Sequence, residues 1–179
     1  MRTPIVALLA LLVVPSIVTL PPRAATPPGP YAVTDLGVFN PNIQSAHAND
    51  LNEDGQVVGY AGNRAFVWQD GHLTALPTLG GTAGMAESIN ENGQIVGSSS
   101  LTTPPTGYRA VLWDNGGITD LTPALGQGET SAALGINDSR EIVGNINGWT
   151  PFIWRNGVIT TLGHLGGGFG HAMDINNDT

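Results

Sequence analysis

The chain has 179 residues, a formal net charge of −8, and neither cysteine nor lysine. Without cysteine there is no disulfide framework and no thiolate metal site. Beyond a leader and Arg23, four arginines (Arg64, Arg109, Arg140, Arg155) face fourteen carboxylates, a net charge near −10 that disfavours nucleic acid and anionic membrane surfaces as partners.

Residues 1–25 read as a helical signal peptide. Arg2 precedes the apolar run Ile5–Val14, which Pro15 breaks after about ten residues, well short of the roughly 20 needed to cross a bilayer. Cleavage near Ala24 or Ala25 leaves no membrane insertion, and no cysteine follows the run to carry a lipid. Residues 26–30 end a Pro-rich stretch, Pro21–Pro30, expected to be an extended linker. An exported protein without disulfides suits a bacterial secretor, with the product extracellular, at the cell surface or in the periplasm.

From residue 31 onward one phrase returns four times. It reads Ala48-Asn49-Asp50-Leu51-Asn52, Ala86-Glu87-Ser88-Ile89-Asn90, Ala133-Leu134-Gly135-Ile136-Asn137 and Ala172-Met173-Asp174-Ile175-Asn176. The asparagines are 38, 47 and 39 residues apart, a period that marks solenoids, propellers or other stacked arrays. A Leu-Gly pair opens each unit (Leu36-Gly37, Leu79-Gly80, Leu125-Gly126, Leu165-Gly166), giving units at about 31–78, 79–124, 125–164 and a partial 165–179. After the phrase come Gly55-Gln56-Val57-Val58-Gly59, Gly93-Gln94-Ile95-Val96-Gly97 and Arg140-Glu141-Ile142-Val143-Gly144, then Ala65-Phe66-Val67-Trp68, Ala110-Val111-Leu112-Trp113 and Pro151-Phe152-Ile153-Trp154.

These short β-branched and aromatic runs bounded by turn formers are strand signals. Both faces of Ala65–Trp68 are apolar, so the strand should be covered on both sides. Asp70-Gly71, Asn115-Gly116 and Asn156-Gly157 supply the positive φ angles of a type I′ hairpin turn. Asp54-Gly55 and Asn92-Gly93 mark a second turn, which unit three replaces with the weaker Ser139-Arg140. Four antiparallel strands per unit of about 40 residues describe a β-propeller blade, which is stable only when neighbours stack on it. The expected fold is all-β, a propeller-like array of about 3.5 four-stranded repeats. A β-solenoid competes with it, but solenoid rungs are shorter and lack two hairpin turns per period. Unit four stops at Asp178-Thr179, where the next Gly-Gln-Ile-Val-Gly is due. The chain therefore reads as a fragment of a longer propeller, or as a half that self-associates through open blade edges.

The pattern Leu-Gly-Gly, Ala-x-x-Ile-Asn-x-x-Gly-Gln-Ile-Val-Gly, Arg-Ala-Phe-x-Trp-x-x-Gly resembles the HAF family of probable bacterial extracellular repeats, over Tyr31 to Thr179. That family is named for a His-Ala-Phe triplet, which here reads Arg64-Ala65-Phe66, Arg109-Ala110-Val111 and Thr150-Pro151-Phe152. The resemblance implies an exported, propeller-like β protein and carries over no catalytic residue.

Several residues invite chemistry. Asp50-x-Asn52-x-Asp54-Gly55, echoed by Asp174-x-Asn176-x-Asp178, has the spacing of half a calcium loop, but Ala61 stands where the closing glutamate belongs. Asn and Asp shaping a turn is the plainer reading. His47 and His171 occupy one repeat position, His72 and His164 lie in turn-rich stretches, and no pair has zinc-ligand spacing. Ser98-Ser99-Ser100 reads as loop, and no Gly-x-Ser-x-Gly elbow is present. Leu79-Gly80-Gly81-Thr82 and Leu165-Gly166-Gly167-Gly168 lack the Gly-Lys-Ser/Thr of a phosphate cradle and read as linkers between blades. Trp68, Trp113 and Trp154 fall at a fixed place in an apolar strand, which points to packing before a sugar platform. Trp149 has no equivalent in other units and is the better ligand candidate, as is the insertion Ser98–Tyr108, read as a loop.

The sequence thus points to a secreted, non-catalytic repeat module that binds an extracellular ligand or protein. No residue is assigned to catalysis, a cofactor or a metal. A propeller-channel enzyme of hydrolase or lyase class is the alternative, with Glu129, Arg140 and Glu141 as its off-pattern charges. A calcium-stabilised adhesive array is the other.

Overall fold

Each Gln-Ile-Val-Gly run and each apolar run ending in Trp becomes a strand, and every unit adds one strand before and one after. In a computed structural model that describes residues 32–40, 42, 45–102, 107–126 and 128–177, twelve strands form three antiparallel sheets of four. The leader (1–25), the linker (26–30) and Asp178 lie outside the described residues.

The first sheet runs β1 Ala46–Leu51, β2 Val57–Ala61, β3 Arg64–Gln69 and β4 His72–Ala75 in that order. The second is β5 Gly80–Ile89, β6 Ile95–Leu101, β7 Tyr108–Asp114 and β8 Gly117–Asp120. The third is β9 Ser131–Ile136, β10 Ile142–Ile146, β11 Thr150–Arg155 and β12 Val158–Thr161. The first strands of successive sheets lie side by side, β1 near β5 and β5 near β9.

The hairpin turns follow from their residues. Asp70-Gly71, Asn115-Gly116 and Asn156-Gly157 all have φ between 50° and 87°, so both central residues are left-handed as type I′ requires. In the earlier turn Gly55 and Gly93 sit at φ 75° and 74°, and Arg140 adopts 63° in the place a glycine fills elsewhere.

Alternation along the strands lets the second sheet feed two cores. Ile95, Val111 and Trp113 pack against Val58, Ala65 and Val67 of the first sheet. From the opposite face Val96, Ala110 and Leu112 pack against Ile142, Phe152 and Trp154 of the third. Each sheet is stabilised by its neighbour, as expected of units too small to bury both faces alone.

The glycine ending each Gln-Ile-Val-Gly run has a steric reason. A Cβ on Gly59, Gly97 or Gly144 would lie 1.9–2.0 Å from the carbonyl oxygen of His47, Met85 or Ala132 on the adjoining first strand. That close approach accompanies a shift of register, between Ala48 and Asp50 in the first sheet and between Ala86 and Ser88 in the second.

Two readings need correction. Ser98-Ser99-Ser100 is strand, not loop: it extends β6, and Ser98 and Ser99 are fully buried. The Gly80-Gly81-Thr82 stretch is strand too, the start of the ten-residue β5. One explains the other. Gly80 and Gly84 pair with Leu101 and Ser99, and a side chain on Gly81 would collide with Ser100. Glycine therefore brings the two strands together, and the serine hydroxyls bond to the opposing backbone: Leu79 N–H donates to Ser99 Oγ (2.9 Å) and Ala83 N–H to Ser100 Oγ (3.0 Å). The insertion is correspondingly shorter than Ser98–Tyr108, because both of its ends are strand.

Candidate functional site

The repeated asparagine joins one unit to the next. In each unit its side-chain oxygen accepts the backbone N–H four residues on, Gln56 (3.0 Å), Gln94 (2.9 Å) or Glu141 (2.8 Å), which shapes the turn. Its amide then donates to the carbonyl of the same asparagine in the following unit: Asn52 to Asn90 (3.2 Å), Asn90 to Asn137 (3.0 Å), Asn137 to Asn176 (3.1 Å). A second row runs beside it, with Glu53 N–H donating to Glu91, Glu91 N–H to Asp138 and Asp138 N–H to Asn177. The sequence showed the asparagine as a turn former. Its role between sheets needs the spatial stacking of residues about 40 apart.

Other candidates are also committed to packing. Asp50 accepts from Ser88 Oγ (2.8 Å) and Ile89 N–H (3.0 Å) in the next unit, while Asn52 serves the ladder, so the two do not converge on a common point. Among the described residues, no three His, Asp or Glu side chains come together as metal ligands. Glu141 pairs with Arg155 and with Asn137, and those bonds hold its carboxyl below the usual range. Arg140 reaches back to Asp114 of the second sheet at 3.6 Å. Glu129 accepts from Gly126 N–H (2.7 Å) in its own loop. These three off-pattern charges are tied down separately.

Trp113 is almost wholly buried and donates its indole N–H to the Pro77 carbonyl of the preceding unit (2.8 Å). Trp154 packs into the core between the second and third sheets. These two sit between sheets, as their fixed place in an apolar strand predicts, whereas Trp68 is half-buried and belongs to neither core. His47 stacks on Tyr60 with centroids 4.7 Å apart, and His72 bonds to the Asp70 carbonyl. His164 is exposed.

Two residues carry weight the sequence did not assign them. Arg109 is buried and donates to the carbonyls of Glu129, Leu125 (3.2 Å) and Gly126 (3.3 Å), clamping the connection between the second and third sheets. Glu87 lies on β5 with Asn49 donating to it (3.0 Å), and burial pushes its carboxyl above the usual range.

The remaining candidate, Trp149, is where the surface gathers. It is 54% exposed in the turn between β10 and β11, with Phe169 at 4.9 Å and His171 at 5.9 Å, centroid to centroid. Leu162, Leu165 and Met173 are exposed on the same Leu162–Asn177 segment. Phe169 had no repeat signal to mark it, since Ala83 fills the matching place in unit two.

Fold and ladder together define an all-β repeat protein of stacked four-stranded sheets. Comparison with family models, curated proteins and solved structures finds no match.

Proposed function

We propose that this chain is an exported, non-catalytic binding module of the HAF kind, its sheets the blades of a β-propeller, acting at or outside the cell surface of a bacterium. The observation that carries the reading is the open aromatic cluster of Trp149, Phe169 and His171, with Leu162, Leu165 and Met173 also exposed along the chain segment that carries Phe169 and His171. Large apolar side chains gathered in the open mark interaction sites, and aromatic anchors supply much of the contact energy in such sites. The acidic balance and the leader support action outside the cell. The resemblance in the repeat supports the family, and first strands lying side by side support the blade arrangement.

Adsorption of the labelled chain to intact bacterial cells and isolated envelopes tests this. The double variant Trp149→Ala, Phe169→Ala should adsorb at least about 10-fold more weakly, the loss of one or two anchors. Equal adsorption of variant and parent, or none by the parent, would refute the reading.

A further inference from the structure

Where β4 of the first sheet meets the β7–β8 turn of the second, the two sheets part to leave a cleft of about 490 Å³. That volume is usual for small-molecule sites. A hollow of about 300 Å³ adjoins it and shares Gln56, Val67 and Thr74 with it. Val67, Leu76 and Ile95 line the cleft with apolar surface, beside Trp113 and Pro77, whose side-chain N–H and carbonyl bond to each other (2.8 Å). Gln69, Asp70 and His72 line the hollow. Both walls belong to four-stranded sheets inside the array.

The junction of the second and third sheets shows what such a place accepts. There Arg140 stands at the repeat position of Gly93 and reaches across to Asp114, which stands at the position of Gln69 (3.6 Å). Arg140 has φ 63° and Gly93 φ 74°, so the two backbones would send a side chain in the same direction. At the first junction glycine sends nothing across. A carboxylate is supplied there all the same, one residue on, by Asp70, where the other units have Asn115 and Asn156. Among the described residues no salt bridge engages Asp70, and no arginine lines the cleft or the hollow. Asp114 lines the cleft too, but its carboxylate is taken by Gln94 (3.1 Å) and Arg140.

We propose that this cleft is a socket for an arginine side chain of a partner polypeptide, which does at the first junction what Arg140 does within the chain at the second. The aliphatic stem lies along Val67, Leu76 and Ile95, as long cationic side chains lie on apolar surface. The planar guanidinium, with several donors, meets the Asp70 carboxylate and the Gln69 side-chain oxygen. A net charge of −8 draws a basic partner toward it. The socket goes beyond the binding reading and uses none of the residues that carry it.

N-acetyl-arginine amide, titrated into the full chain and followed by backbone amide resonances, tests this. Gly71, Gly93 and Gly116 should shift together and saturate with a Kd of about 1–10 mM, the affinity of a single small contact. N-acetyl-citrulline amide has the same shape without the charge, and should bind at least about threefold more weakly, the scale of a half-exposed ion pair. Asp70→Asn should weaken the arginine probe to the same degree, and Gly93→Arg should abolish its shifts by filling the cleft. Each replacement is a residue another unit already carries at that place, and only the flexible end of Gln56 lies near a Cβ on Gly93 (3.2 Å), so the fold accommodates both. No saturable shift up to about 50 mM probe overturns the inference. Equal binding of the citrulline probe overturns it too, because the cleft then takes any neutral hydrogen-bonding group. Undiminished binding to either variant places the probe elsewhere and likewise overturns it. Cell adsorption is read on the Trp149 and Phe169 variant with the cleft intact, so either result can fail alone.

Discussion

Replacing Asn90 by alanine removes four hydrogen bonds at the junction of the second and third sheets. Its oxygen accepts from Gln94 N–H (2.9 Å) and Asn92 N–H (3.1 Å), and its amide donates to Gln94 Oε1 (2.9 Å) and the Asn137 carbonyl (3.0 Å). Asn92 and Gln94 Oε1 can turn to water. The Asn137 carbonyl keeps Arg140 N–H as a donor. The largest loss is Gln94 N–H, left without a partner beside a buried site, at about 1–3 kcal/mol. The ladder bond adds about 1 kcal/mol, for an expected cost of about 2–4 kcal/mol. Asn90→Asp separates donor from acceptor. One carboxylate oxygen still takes both backbone N–H groups, but the other now faces the Asn137 carbonyl and Gln94 Oε1 where a donor stood. At neutral pH this variant should be no more stable than the alanine variant, and on acidification toward pH 4 it should recover against it as the carboxyl regains a proton to donate. Urea unfolding followed by circular dichroism at both pH values reads this, and a reduced slope would show the sheets coming apart separately. A cost below about 1 kcal/mol for the alanine variant, or parental stability for the aspartate variant at pH 7, would refute the claim that the ladder couples the sheets.

Three further outcomes follow from named contacts. Gly97→Ala should cost about 3 kcal/mol or more, because its Cβ meets the Met85 carbonyl, while Gly167→Ala, with open space around it, should change the melting temperature little; equal effects would remove the steric account of the repeated glycine. Arg140→Gly should stabilise the chain by about 0.5–1 kcal/mol through relief of the left-handed backbone, since the half-exposed contact with Asp114 gives little back. A net loss on thermal melting would show that this inter-sheet pair outweighs the strain. Glu87 has a carboxyl pushed above its unfolded value, so the folded state binds the extra proton, and its stability contribution, full below about pH 4.3, is lost as pH rises through the folded value. Glu87→Gln keeps an acceptor for Asn49 and should match the parent at acid pH and exceed it at pH 7, and parallel melting curves across that range would contradict the assignment.

The strand pattern was legible because each unit states it locally: turn residues at fixed places, apolar pairs, a terminal tryptophan. Ser98-Ser99-Ser100 misled because three hydroxyls in a row resemble a loop by composition. They are strand because Gly80, Gly81 and Gly84, about 18 residues earlier, let another backbone come close enough to pair. The reverse case is Val33-Thr34-Asp35-Leu36, which nearly repeats the Ile118-Thr119-Asp120-Leu121 stretch that β8 begins. Val33 is exposed and the segment forms no strand. Sequence supplies the propensity, and a neighbouring strand decides whether it is used.

Function was less legible for a related reason. A repeat repeats what holds it together, so the asparagines, glycines and tryptophans that recur are those that join sheet to sheet. Glu141 looked off-pattern beside Gln56 and Gln94, yet all three do one job across the second and third strands. Gln56 bonds Gln69 (3.1 Å), Gln94 bonds Asp114 (3.1 Å), and Glu141 pairs with Arg155, so the polarity changes while the contact stays. A departure from the repeat therefore supports a functional reading only when no contact within or between the sheets answers it. Trp149 meets that condition. It replaces Asn63 of the first unit, and its aromatic neighbours Phe169 and His171 come from the next unit instead of its own sheet. Binding at this end of the molecule should accordingly respond to Trp149 and Phe169, and folding to Asn90 and Gly97.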